Sequence, residues 1–486
     1  EYILMSKRSN RSNIIYGMFW KFGERIIAQG VSFVVSIILS RILLPSDYGI
    51  VALVLVFINI ADVFVTSGFN TALVQNKDAD DVDFSTNFYC CFVMSLIVYF
   101  VIFLVAPYIA SFYSAPKLTL IIRVFAIRIP ISSFNSIQHA YVERNMLFKR
   151  FFFSTLFGTV ISGIIGIVLA ICKFGVWALI AQYFINTVID IIVLFITVPW
   201  RPKFVFSFFS AKKMIKFGWK VLVADLSGVF FDQLRSLLIG KIYSSSDLAY
   251  YNKGKQLPDL INVNVSSSLM TVLFPAISNV NDSFEKVKQI SKKSLEVLSY
   301  VMFPLFIGLA SIAKPLVLFL YTEKWSSAVI FIQILSIASM INISSSISLQ
   351  AIKAVGRSDV ILKMEYYKKP LYLVLLLLGL YRGTIYIAIT MALYNIYESI
   401  INSYMLSKII NYSVKEQFLD IVKPLLLSIF MSAFIYPLSF IEGYPILIIT
   451  LQLAIAITVY LGISALIKEE SFLLLVSLIK KQKSDY

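Results

Sequence analysis

Apolar runs near 20 residues recur along the whole of this 486-residue chain, and their length limits what it can fold into. About 20 residues rising 1.5 Å each cross the roughly 30 Å of hydrocarbon in a bilayer. Fourteen such segments are expected, at 14–40, 48–68, 86–106, 118–141, 150–172, 176–197, 214–240, 248–277, 294–313, 327–350, 360–381, 383–407, 420–441 and 444–467. Backbone groups in lipid have no water to bond, so each segment must satisfy its own, and the expected fold class is an all-α polytopic membrane protein. Composition agrees: 59% of residues are hydrophobic, 14% are charged and mean hydropathy is +0.83. A soluble domain carries roughly a quarter charged residues, and no stretch here is long enough to form one.

The chain also repeats itself. Ile131–Gln138 (ISSFNSIQ) returns as Ile343–Gln350 (ISSSISLQ), Lys21-Phe22-Gly23 as Lys216-Phe217-Gly218, and Ser46-Asp47 as Ser246-Asp247. Pro107 with Phe112-Tyr113 has a looser echo in Pro315 with Phe319 and Tyr321. The matches stay in order while their offset grows, as two copies with accumulated insertions would show. A first lobe is expected over 1–200 (spans one to six) and a second over 201–410 (spans seven to twelve). Two unpaired spans then fall in 411–467, followed by a tail, 468–486. Six spans per copy is even, so the repeat is parallel, about an axis along the membrane normal. In a chain this apolar, a duplicated half points to a transporter whose path lies between the copies.

The formal charge of +16 invites a nucleic-acid partner, but its placement argues against one. Alternate connections are strongly basic: Arg144, Lys149 and Arg150; Arg201, Lys203, Lys212 and Lys213; Lys286, Lys288, Lys292 and Lys293; Lys480, Lys481 and Lys483 in the tail. The intervening ones hold isolated cations such as Arg41, Lys117, Lys173 and Lys241. The positive-inside rule then places both termini in the cytoplasm. Cys90, Cys91 and Cys172 fall in apolar segments and read as small packing residues. The first span is expected to be an uncleaved helix rather than a signal peptide, with Met5 a candidate initiator.

Charges at membrane depth cost a few kcal/mol unless they face protein or water. The first span carries Lys21, Arg25, Gln29, Ser32 and Ser36 along one stripe with Glu24 beside it, so that face must meet a cavity or another helix. Its repeat counterpart, the seventh span, carries Lys220, Asp225, Asp232 and Arg235; Asp225 and Asp232, seven apart, share a face. Asp62, Arg128, Asp190, Glu365, Lys368, Lys369 and Glu398 also lie at depth. The competing account of these is ion pairing between helices. Lys253, Lys255 and Arg123 are expected to extend toward the membrane interface.

Three motifs carry less than they suggest. Asp78–Asp83 (DADDVD) imitates a metal-binding DxD but stands in a short loop without a nucleotide-binding domain. His139 is the single histidine, so no histidine-based metal site or Ser-His triad can be assembled, and it reads as structural. No GxxxxGK[ST] loop occurs, so no ATP-driven step and no cofactor are expected.

Leu39–Ala52 (LSRILLPSDYGIVA) and Gly68–Gln75 (GFNTALVQ) resemble signature elements of Wzx-type polysaccharide flippases, colanic-acid and teichuronic-acid exporters in particular. Arg144–Phe148, Tyr250–Gly254 and Ala354–Arg357 resemble further elements, and Ser46 stands where the family signature usually has Glu. The resemblance extends over nearly the whole chain. It implies the multidrug/oligosaccharidyl-lipid/polysaccharide superfamily, with fourteen helices in two lobes in the bacterial inner membrane. It also implies an undecaprenyl-pyrophosphate-linked oligosaccharide substrate of lipopolysaccharide, O-antigen or exopolysaccharide type. A pyrophosphate needs cations in a low-dielectric cavity, and Lys21, Arg25, Arg128, Lys220, Arg235, Lys368 and Lys369 are the candidates. Glu24, Asp62, Asp225, Asp232 and Glu365 are candidates for a coupling proton or sodium ion. Membrane lipid and other polysaccharide-assembly proteins are the further partners implied.

Two rival functions fit less well. A multidrug cation antiporter would want an acidic, aromatic cavity, whereas the charges at depth are mainly basic. A polymerase or membrane glycosyltransferase would show a large outer loop or a catalytic domain, and the chain has neither.

Overall fold

The computed structural model describes Trp20, Gly23 and residues 27–67, 70–71, 73, 79–145, 147–280 and 282–484; side chains are described for these except at 217, 265–272 and 478–484. Helices dominate, and no strand occurs among the described residues. They divide into two compact units, Glu1–Ala249 and Tyr250–Tyr486.

The first unit holds α1 (Ile27–Ile42), α2 (Pro45–Thr66), α3 (Asp81–Phe112), α4 (Lys117–Ala126) and α5 (Arg128–Arg144). It continues through α6 (Phe148–Ile171), α7 (Val176–Thr197) and α8 (Phe208–Ile242). Helix α9 (Ser245–Ser278) starts at its end. The second unit holds α10 (Phe284–Tyr321), α11 (Ala328–Ala354), α12 (Ser358–Arg382), α13 (Thr384–Ile410), α14 (Val414–Ile435), α15 (Pro445–Leu466) and α16 (Glu470–Ser484).

Each expected membrane segment overlaps helix, and ten helical segments are long and apolar enough to cross a membrane. Helix α1 is apolar but shorter. Helices α8 and α12 are long enough, yet charges are spaced closely along both. The chain is thus an all-helical, multi-pass membrane protein.

The expected segment 118–141 is broken. Pro130 has no N–H to offer the Ala126 carbonyl, so the helix stops at Ala126 and restarts at Arg128, on the first turn of α5.

The repeated Ser-Asp step forms the same kind of cap twice. Asp47 Oδ2 accepts from the Leu44 N–H at 3.2 Å where α2 begins. Asp247 Oδ2 accepts from the Ser244 N–H at 3.1 Å where α9 begins. Both bonds satisfy an N–H at the helix start. Gln138 in α5 and Gln350 in α11, equivalent in the repeat, are both buried, and the Oε1 of each has no hydrogen-bond partner among the described residues.

Within the first unit, α6 packs on α7 through small residues: a Cβ at Gly166 would lie 3.1 Å from Gln182 Cβ, and one at Gly158 would lie 3.3 Å from Asn186 Nδ2. The Asp80 carboxylate from the acidic loop caps α3, accepting from the Val82 and Asp83 N–H groups at 3.0 and 2.9 Å. The basic linker is fastened to α3: Lys203 Nζ bonds Asp81 at 2.6 Å, and the Ser207 N–H donates to Thr86 Oγ1 at 3.0 Å. Those ties help explain why α8 groups with the first unit, although the sequence repeat starts a new copy at 201.

In the second unit, α10, α11, α12 and α13 share one core that includes Met302, Phe306, Ile347, Met364 and Leu406. Helix α15 docks through Tyr460, whose hydroxyl donates to the Tyr300 carbonyl at 2.7 Å, and Gln452, whose Nε2 donates to the Ile435 carbonyl at 2.7 Å.

Candidate functional site

The break before α5 places Arg128 where it reaches two other helices. Its Nη1 lies 3.5 Å from Asp62 Oδ2 on α2, and its Nε donates to Thr187 Oγ1 on α7 at 2.8 Å. Side-chain exposures of 23% and 26% leave Arg128 and Asp62 within reach of a ligand. Asp62 Oδ1 is buried without a hydrogen-bond partner among the described residues, an acceptor held in reserve. A cation expected for substrate and a carboxylate expected for an ion are therefore one pair.

A second group forms in the second unit. Lys368 on α12 is buried, with Nζ 2.9 Å from Glu365 and 3.0 Å from Glu398 on α13. Lys369 reaches Glu365 at 3.6 Å. Lys368 is thus enclosed by carboxylates and, in this arrangement, spends its charge on protein.

On α8, Lys220, Asp225 and Asp232 are exposed and Arg235 is half-buried. A Cβ at Gly228, between the two carboxylates, would meet nothing within 4 Å. Exposed carboxylates cannot face hydrocarbon, so this face of α8 borders water. Lys21, Glu24 and Arg25 lie outside the described residues.

Two features escaped the sequence reading. Asp190 on α7 gathers His139 and Asn135 from α5 and Ser154 from α6. Lys253 is buried rather than extended toward the interface, its Nζ 4.4 Å from the Tyr321 ring centroid and 5.5 Å from that of Trp325. The aromatic faces supply part of what water would give an ammonium, a contact that sequence spacing does not reveal. Arg123 likewise turns inward, its Nε donating to the Phe103 carbonyl at 3.1 Å.

A family model described as "Polysaccharide biosynthesis protein" matches residues 38–330, which hold Asp62, Arg128, Asp190 and the α8 charges. The chain belongs to that family. The succinoglycan biosynthesis transport protein ExoT of Rhizobium meliloti (strain 1021) is 23% identical over 357 residues, 74% of this chain and 72% of ExoT. The lipopolysaccharide biosynthesis protein WzxC of Escherichia coli (strain K12) is 22% identical over 430 residues, 87% of this chain and 86% of WzxC. Among solved structures, lipid II flippase MurJ in an inward closed conformation superposes with a TM-score of 0.72 at 15% identity, covering 93% of this chain and 98% of MurJ. An inward-facing multidrug resistance transporter of the MATE family gives 0.60 at 16% identity, covering 80% of this chain and 98% of its own. The polysaccharide family therefore shares its fold with both lipid flippases and drug transporters, and the fold alone does not choose between them.

Proposed function

We propose that this chain is a flippase. It carries lipid-linked oligosaccharide repeat units, bound through undecaprenyl pyrophosphate, from the cytoplasmic to the outer leaflet of the bacterial inner membrane by alternating access. Membership of a polysaccharide biosynthesis family, in a multi-pass chain, is the observation that carries this reading. The work it performs is transport rather than bond making.

Arg128 is the best-placed contact for the pyrophosphate. A guanidinium fork can hold two phosphate oxygens, and here it is partly exposed and occupied by a single carboxylate, Asp62. A phosphate arriving at Arg128 displaces Asp62, which then needs a new partner or a proton. Asp225 and Asp232 line the wet face of α8, where they would repel the pyrophosphate and leave room for neutral sugars.

A strain lacking the gene tests the reading. Lipid-linked repeat units should accumulate facing the cytoplasm, and a wild-type copy should restore surface glycan. Unpolymerised units found on the outer leaflet would instead assign the chain to polymerisation.

A further inference from the structure

None of the roles above uses Asp190. Its Oδ1 accepts from the Ser154 hydroxyl on α6, and its Oδ2 accepts from the Asn135 amide on α5. Oδ2 also lies 3.1 Å from His139 Nε2, one turn farther along α5. One carboxylate on α7 thus ties three helices together. The Asn135 amide nitrogen lies 3.0 Å from the same ring nitrogen; in the tautomer with its proton on Nε2, the ring donates that proton to Asp190 Oδ2 while the amide donates to the carboxylate. The ring packs on Phe151 with centroids 4.6 Å apart, which fixes its plane. Its other nitrogen, Nδ1, has no partner among the described residues, and the His139 side chain is 43% exposed against 21% for Asp190. An open ring nitrogen, a bonded ring nitrogen and a sheltered carboxylate therefore stand in series.

The geometry points to a proton-binding site at His139 and Asp190. A proton from water adds to the Nδ1 lone pair. The proton already on Nε2 then stays on the imidazolium or passes to Asp190 Oδ2, leaving a neutral ring and a carboxylic acid. The same path in reverse releases one proton, and no other bond changes. Imidazole is the side chain whose ordinary titration lies nearest neutrality, so its loading can follow a membrane pH difference. The bonds from Ser154 and Asn135 are strongest to a charged carboxylate, so proton transfer to Asp190 loosens the tie between α5, α6 and α7. That this loosening drives export rests on the flippase reading; the binding site itself does not.

Charged neighbours are engaged elsewhere. Asp62 on α2 pairs with Arg128, and Arg144 on α5 donates to the Ala79 carbonyl at 2.9 Å. Lys149 on α6 lies 5.4 Å from the Trp20 ring centroid, and the Cys91 thiol on α3 is 3.8 Å from Asn87 Oδ1. Arg150 shares a face of α6 with Ser154 and has a buried Nη1 without a hydrogen-bond partner among the described residues. Among the described residues His139 is the only basic side chain within ion-pair distance of Asp190.

His139 is the chain's one histidine, so a histidine-free tag and [15N]histidine labelling give an NMR spectrum of this ring alone. In the purified full chain in nanodiscs, Nδ1 should take up a proton as pH falls from 8 to 5 while Nε2 keeps its own. Asp190→Asn should change the midpoint and release the Nε2 proton to exchange between the two nitrogens. Ser154→Ala, a milder change, should also change the midpoint, and it serves as the test if Asp190→Asn fails to fold. A ring that stays neutral throughout, or midpoints unmoved by either variant, overturns the proposal. These readings need no substrate, so they stand or fall apart from the flippase assignment. In vesicles carrying out export, His139→Gln should abolish stimulation by an imposed pH difference; stimulation that persists, or that follows sodium instead, overturns the coupling.

Discussion

Gly49 and Ser245 meet backbone to backbone: a Cβ built on Gly49 would lie 1.7 Å from the Ser245 carbonyl oxygen. Each stands in the first turn or so of a helix that opens with the repeated Ser-Asp step, α2 for one and α9 for the other. Neighbouring contacts reinforce the junction. The Tyr113 hydroxyl donates to the Leu237 carbonyl at 3.2 Å, and Lys241 Nζ bonds the Phe112 carbonyl and sits 4.4 Å from that ring's centroid. A cavity of about 440 Å³ lined by Gly49, Tyr113, Pro116, Gly240 and Ser244 lies alongside.

Gly49→Ala should therefore cost roughly 1–3 kcal/mol by overpacking, seen as a lower melting temperature of the purified protein. Gly228→Ala supplies the contrast, since a Cβ there meets open space. It should be neutral, or stabilising by up to about 1 kcal/mol through helix propensity. Equal effects at the two positions would show that the Gly49 junction does not hold.

Lys368 decides between a structural and a substrate role for the α12 cations. Lys368→Met alone strands Glu398 and should cost roughly 3–5 kcal/mol, read as loss of monodisperse protein on size exclusion. Lys368→Met with Glu398→Leu should recover most of that loss. If the single variant folds normally and only export falls, Lys368 belongs to the substrate path.

Arg128→Lys keeps the charge but cannot reach Asp62 and Thr187 together in the same fork. Losing one bond to a charged group is worth roughly 1.5–3 kcal/mol, so export should fall about ten-fold or more at unchanged protein level. Arg128→Ala with Asp62→Asn should fold and still fail to export. Normal export by that double variant would remove the pair from the substrate site.

Much of this was legible in the sequence, because the bilayer imposes length and apolarity on every span; the segment expected at 176–197 coincides with α7. The helix break at Ile127 was not, since Pro130 reads equally well inside a kinked helix or at a restart. At the sites, sequence marked the charges at depth but not their partners. Asp62 and Arg128 come from different helices, and only packing shows that the two expected roles meet in one pair. Asp190 with His139 and Lys253 with Tyr321 were missed for the same reason: each joins residues distant in sequence through a contact with no spacing rule.

The basic connections predict a topology with 201–213 on the cytoplasmic side. In a background lacking Cys90, Cys91 and Cys172, single cysteines placed in 201–213 should label only after the cytoplasmic face is opened. Labelling in intact cells by a membrane-impermeant reagent would reverse the orientation.

The central claim is that the chain moves lipid-linked oligosaccharide between leaflets. Its most direct measurement uses sealed vesicles holding the purified full chain and lipid-linked repeat units extracted from cells lacking the gene. An impermeant glycan-cleaving enzyme is added outside. Vesicles without the chain should stop at cleavage of the outer-leaflet half. Vesicles with the chain should proceed toward complete cleavage, and the Arg128→Ala, Asp62→Asn double variant should stop where empty vesicles do. Cleavage that halts at the outer half despite folded wild-type protein, with or without a pH difference, would contradict the account.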